Sequence, residues 1–197
     1  MTSWKNSNIL ESRRLVEEVL NPPKKIRKIV ARDRKDLDDI LDDLYNKYED
    51  LIYYDNNYWG HRVPEEIKNL NFIDVSNVKD MSYLFRGQGV PYILSDWDVS
   101  NVEDMSHMFE ESDFNGDISK WNVSKVKDMS YMFSNNGFFN SNISGWDVSS
   151  VKNMSRMFKG SYFDGDISNW DVSNVENMKW MFKDSPLEGD EPSWYKF

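Results

Sequence analysis

The sequence predicts an α/β chain, a right-handed strand–helix solenoid with a small N-terminal α/β cap. Three observations carry this. Four near-copies of one phrase, Trp97-Asp-Val-Ser, Trp121-Asn-Val-Ser, Trp146-Asp-Val-Ser and Trp170-Asp-Val-Ser, follow at intervals of 24, 25 and 24 residues. An interval of that size marks units too small to hide their own apolar face, which must stack on neighbours. Inside each unit the apolar period changes from strand-like to helix-like. Ahead of the repeats, one short strand pattern and two helix patterns supply a lid. Right-handedness follows from the bias of parallel crossover connections.

The chain divides into residues 1–69, a cap of two helices, a short strand and a tyrosine-rich connector, and residues 70–197, five repeats with a partial terminal one. Ile9, Leu10, Val16, Val19 and Leu20 form an apolar stripe beside Glu11, Arg13, Arg14, Glu17 and Glu18. This is an amphipathic helix stopped at Asn21-Pro22-Pro23. Lys24 to Arg32 is a basic run around Ile26, Ile29 and Val30 and predicts a short strand. Asp33 is placed to cap a second helix. Its inward side is Leu37, Ile40, Leu41, Leu44, Tyr45 and Tyr48, and Asp36, Asp38, Asp39, Asp42 and Asp43 face out. The connector from Leu51 to Asn69 crowds Tyr53, Tyr54, Tyr58 and Trp59 together.

The unit starting at Trp121 shows the repeat most plainly. Trp121 and Val123 alternate with polar residues, the period of a half-buried strand. Val126, Met129 and Met132/Phe133 follow at the spacing of one helix face. The change falls at Ser124, an N-cap residue type, and Ser76, Ser100, Ser149 and Ser173 hold the same place. Glu103 and Glu176 stand where a capping box needs them. The return loops Phe114-Asn-Gly-Asp-Ile118 and Phe163-Asp-Gly-Asp-Ile167 predict turns in which Gly takes a positive φ. Upstream the pattern degrades: Ile73 replaces Trp, and Gly87 to Ser95 lacks the loop motif. Downstream, Leu187 to Trp194 repeats Phe163 to Trp170 with Pro192 in place of Ser. The expected core is Trp97, Trp121, Trp146 and Trp170 with Met105, Met129, Met154 and Met178.

From roughly Leu70 to Trp194 these units resemble the BspA-like leucine-rich-repeat surface proteins of bacteria, whose repeats read Phe-Asn-Gly-Asp-Ile-Ser-x-Trp-Asp-Val-Ser-Asn-Val-x-x-Met-x-x-Met-Phe. The resemblance implies a leucine-rich-repeat-like strand–helix solenoid used for adhesion or protein binding, and carries no catalytic residue.

Within the repeats one column varies while its neighbours hardly do: Tyr83, His107, Tyr131, Arg156 and Trp180. Stacked units would bring these residues into line, roughly 5 Å apart. Tyr, Arg and Trp are the types favoured at binding hot spots, so this column is the candidate partner contact. A second column, Asp74, Asp98, Asn122, Asp147 and Asp171, with Asp117, Asp166 and Asp190 on the loops, would place like charges in file. Bonds to local backbone amides relieve that repulsion, and Asn122 standing among the aspartates favours them over a row of calcium ions.

His61 and His107 are the only histidines and there is no cysteine, which excludes disulfides and thiolate metal sites. No P-loop, dinucleotide fingerprint or nucleophile elbow is present. The expectation is therefore a non-enzymatic module that needs no cofactor and no metal and binds another protein. Net charge is −10, with +5 on residues 1–32 and −15 on the rest. That acidity argues against direct nucleic-acid binding by the solenoid. It suggests an alternative, an intracellular, phage or viral inhibitor seated in the basic nucleic-acid site of a host defence enzyme. No apolar leader and no membrane-spanning stretch is visible in the sequence, so the expected location is the cytoplasm, or the cell surface if the native N-terminus is trimmed.

Overall fold

The computed structural model describes residues 28–48, 68–89 and 92–196. The first predicted helix, the tyrosine-rich connector up to residue 67 and His61 lie outside the described residues. Among the described residues three elements come in order: β1 (Ile29–Val30), α1 (Arg34–Tyr48) and β2 (Ile73–Asp74). β1 pairs with β2 in parallel, Ile29 opposite Ile73. Asp33 caps α1: its Oδ1 accepts the Asp36 amide at 2.9 Å, satisfying one of the helix's orphan donors. Leu37, Ile40 and Leu44 are buried, as the helical period requires, whereas Tyr45, expected inward, is 44% exposed. The outward aspartates pair along the helix, Asp38 with Arg34 at 2.8 Å and Asp39 with Lys35 at 2.7 Å.

The repeats differ from expectation in their local structure. The segment after each Ser is not a helix but a run of turns closed by i to i+3 bonds, such as Met108 N–H to Met105 O at 3.3 Å and Glu110 N–H to His107 O at 3.2 Å. Alternate amides leave the run and donate to the following unit. Met81, Tyr83, Phe85 and Gly87 donate to Asp104, Ser106, Met108 and Glu110 at 2.8–3.0 Å. Met105, His107, Phe109 and Glu111 donate to Asp128, Ser130, Met132 and Ser134, and the pattern continues through Asn177 to Lys183. Parallel bridges mark it at Asp80–Asp104, Asp104–Asp128, Asp128–Asn153 and Asn153–Asn177.

A helix is impossible here because two residues per unit have left-handed backbone. The first set is Tyr83, His107, Tyr131, Arg156 and Trp180, with φ of 56–61°. The second is Gly87, Glu111, Asn135, Gly160 and Asp184, with φ of 54–67°. Each occupies the third place of its turn. A non-glycine residue in this region costs about 1–2 kcal/mol, offset by the cross-unit bonds that the geometry permits.

The Trp-x-Val-Ser segments, expected as strands, alternate buried and exposed positions but carry no strand ladder among the described residues. Their link between units is the indole. Trp97, Trp121, Trp146, Trp170 and Trp194 each donate Nε1–H to the carbonyl of Leu70, Leu94, Ile118, Ile143 and Ile167 respectively, at 2.9–3.2 Å. Leu94 thus takes the loop's Ile position, although the surrounding motif is gone. The first four tryptophans are at most 4% exposed, and Met105, Met129, Met154 and Met178 are buried with them. Phe85, Phe109, Phe133, Phe158 and Phe182 form a ring-on-ring file at 5.6–6.1 Å.

Two further expectations are corrected. Each predicted capping Ser instead donates its amide to the Asx residue two places before it: Ser76 to Asp74, Ser100 to Asp98, Ser124 to Asn122, Ser149 to Asp147 and Ser173 to Asp171, at 3.0–3.2 Å. With no helix to cap, Glu103 reaches Lys79 at 3.7 Å and Lys127, and Glu176 reaches Lys152 at 3.4 Å, tying units together. Gly116 and Gly165 do not take a positive φ. They are glycine because a Cβ there would stand 2.8 Å from the Phe114 or Phe163 ring folded over it. The 25-residue interval also has a local cause. Ser112 and Ser161 accept the amides of Phe114 and Phe163, and the longer Asn136 accepts from both Phe138 and Phe139 at 2.9 Å. It spans the extra residue, which leaves Phe138 48% exposed.

Candidate functional site

The left-handed backbone at the third place of each turn throws the variable column outward, and the cross-unit bonds bring its members into register. Tyr83 stacks on His107 with ring centroids 4.3 Å apart and planes 8° from parallel. His107 stacks on Tyr131 at 4.4 Å and 13°. Arg156 continues the file: its guanidinium lies 5.1 Å from the Tyr131 ring centre and 4.2 Å from that of Trp180, and it donates to the Tyr131 hydroxyl. All five candidate contact residues therefore stand in one file. Tyr83 and Trp180 are 49% and 42% exposed, and the three between them are half-buried. The rings meet face to face, so their edges line the surface.

The file is braced from below. Glu110, only 6% exposed, accepts from Arg86 at 2.7 Å and lies 2.8 Å from His107 Nδ1. Arg86 is also 5.8 Å from the Tyr83 ring centre. Lys179 and Lys183 approach the Trp180 ring at 4.5 and 5.8 Å. Aromatic edges, one guanidinium and flanking ammonium groups suit contact with a protein surface carrying carboxylates or aromatic rings.

The file's variability was legible in the sequence, but its brace was not. Glu110 and Arg86 hold the same place in neighbouring units, after Phe109 and Phe85 and 24 residues apart, but that column was not singled out from the sequence. The left-handed set containing Gly87, Asn135, Gly160 and Asp184 did carry a signal, being rich in the residue types that tolerate positive φ.

The acidic column is occupied by local bonding. Ser119, Ser144 and Ser168 donate amides to Asp117, Asn142 and Asp166 at 2.9–3.0 Å, extending the pattern to the loops. Hydrogen bonds from the Ser hydroxyl and then the Ser amide hold Asp98, Asp117, Asp147 and Asp171 below the usual carboxylate range. At Asp74 and Asp166 the amide contributes more. Among the described residues no group of three or more His, Asp or Glu side chains converges as a metal site would. No helix among them is long and apolar enough to cross a membrane.

No curated protein and no solved structure matches the chain. Two overlapping stretches, residues 57–160 and 88–194, match one family. The repeats described above lie within those stretches, and the chain belongs to the family described as "Mycoplasma protein of unknown function, DUF285".

Proposed function

We propose that this chain is a non-enzymatic protein-binding module, a right-handed solenoid whose contact surface is centred on the file of Tyr83, His107, Tyr131, Arg156 and Trp180. The observation that carries it is the continuous stacking of those five side chains across successive units. Variable residues on a repeated frame are how repeat proteins build extended binding surfaces. The backbone strain at these positions also supports a functional role, since strained residues cluster at sites of recognition. The likeness of the repeats to BspA-like leucine-rich-repeat proteins agrees with adhesion or protein binding as the broader role.

The test is affinity capture with the native chain and a Tyr83→Ser/Trp180→Ser variant, both checked for folding by circular dichroism. A protein retained by the native chain and lost from the variant is expected. Equal retention by both would remove the file from the contact.

The acidic surface favours a second reading, an inhibitor that occupies a basic nucleic-acid site inside a cell. Its support is the −15 carried beyond residue 32 and the aspartates held in their ionised form by serine. Capture of a nucleic-acid enzyme that is lost near ~0.5 M salt, where screening leaves a field of only a few ångströms, would favour this reading. Salt-insensitive capture would oppose it.

A further inference from the structure

The first unit departs from the later ones where it meets the cap. In three later units the loop aromatic lies flat on the phenylalanine of its own unit. Phe114 covers Phe109, Phe139 covers Phe133 and Phe163 covers Phe158, with ring centroids 3.7–4.4 Å apart. Gly87 to Ser95 lacks that loop motif, and Tyr92 meets Phe85 at 5.0 Å with the planes tilted by 40°. Leu84 shows the consequence. Its counterparts Met108, Met132, Met157 and Met181 are 0% exposed, whereas Leu84 is half-buried.

Between this unit and α1 lies a cleft of about 300 Å³, a size and setting suited to a small ligand. Its floor is apolar: Leu44, Leu70 and Phe85 are at most 7% exposed. Leu41 and Leu84 line its walls together with Tyr45 and Tyr92. Tyr45 thus faces the cleft instead of a packed core, which accounts for its exposure. Burial, and then the Tyr45 phenol, push the Tyr92 hydroxyl above its usual range, so the two phenols share one environment. The charged side chains among the described lining residues are Asp38 and Asp42. Arg34 engages Asp38 at 2.8 Å. Asp42, one helical turn further on, makes no ion pair or side-chain hydrogen bond among the described residues.

We propose that this cleft binds a small organic cation, a substituted ammonium with an apolar body. The apolar body covers Leu44, Leu70 and Phe85, and the ammonium sits among the Tyr45 and Tyr92 rings beside the Asp42 carboxylate. Aromatic rings attract such cations, the more so where water is excluded. The free carboxylate adds a Coulomb attraction that a neutral molecule of the same shape does not gain, and it disfavours an anion. None of the five side chains of the contact file lines the cleft, so the proposal goes beyond that surface and does not depend on it.

The experiment is an NMR titration of the full chain with choline, set against neohexyl alcohol, its uncharged isostere, at matched ionic strength. Choline is expected to shift the Leu41 and Leu84 methyl signals and the Tyr45 and Tyr92 ring signals saturably. The alcohol should bind about tenfold or more weakly, having lost the cation's attraction to rings and carboxylate. Asp42→Asn should weaken choline binding about fivefold or more. Asp39→Asn removes the same charge from the same helix at a residue paired with Lys35, and it should leave binding unchanged. Phosphatidylcholine vesicles separate two sources of the cation: a chain that sediments with them takes a lipid headgroup, and a chain left in solution takes a free molecule. Equal binding of the alcohol, equal binding by Asp42→Asn, or equal weakening by Asp39→Asn would each overturn the proposal. So would the absence of a saturable shift at these four residues with choline.

Discussion

At the residue scale, the position occupied by Tyr131 shows how a repeat can be read correctly for contact and wrongly for conformation. Its sequence neighbours, Met129 and Met132, are buried at a spacing that a helix and a run of i to i+3 turns share. Apolar spacing alone cannot separate the two. What separates them is φ, which is 58° at Tyr131, and nothing in a tyrosine reveals that. The companion set did reveal it, since Gly87, Asn135 and Gly160 are residues that accept a left-handed backbone. The consequence can be tested by its sign. Replacing Tyr131 by Ala or by Gly removes the same ring. In a helix Gly would be the less stable by about 1 kcal/mol, but at a positive φ it should be the more stable by about 1 kcal/mol. Urea melts of Tyr131→Gly and Tyr131→Ala measure the difference, and a more stable Ala variant would contradict the assignment.

At the scale of elements, α1 was legible because its cap and its apolar face are both local. Asp33 needs only the amides of the first turn, and Leu37, Ile40 and Leu44 need only one another's spacing. The repeat elements were not, because their defining bonds join residues 23 or more positions apart, as in Met105 to Asp128. The tryptophans were legible as core but not as hydrogen-bond donors to the preceding unit. Trp121 contributes both burial and the bond to Leu94. Trp121→Ala should therefore cost roughly 3–5 kcal/mol, the range for emptying a large aromatic site, and leave the Leu94 carbonyl without its donor. Thermal and urea denaturation report this. A loss under about 1 kcal/mol, the scale of a surface change, would mean that the indole is not part of the core.

At the scale of the whole molecule, the acidic columns set the pH response. Bonds from serine depress the folded-state pKa of Asp74, Asp98, Asp117, Asp147, Asp166 and Asp171 below the unfolded value. Their contribution to stability is thus present above the unfolded carboxylate pKa, about 3.9. It is lost as pH falls through the lower folded values. The melting temperature should hold through neutral pH and fall progressively below about pH 4. A melting temperature constant down to pH 2, about two units under the ordinary carboxylate range, would show that these bonds do not favour the ionised form. That the columns are acidic was plain from the sequence. That each carboxylate is engaged by its own serine depended on turns whose closing bonds the sequence read as helix caps.

The contact file rests on the ladder between units, because its bonds hold the left-handed turns in register and so align the five side chains. Through-hydrogen-bond NMR couplings detect such bonds individually, linking an amide nitrogen to the carbonyl carbon that accepts from it. The ladder predicts coupling of His107 nitrogen to the Ser130 carbonyl and of Tyr131 nitrogen to the Ser155 carbonyl. Coupling of His107 to Glu103 and of Tyr131 to Lys127, the four-residue pattern of an α-helix, would contradict it.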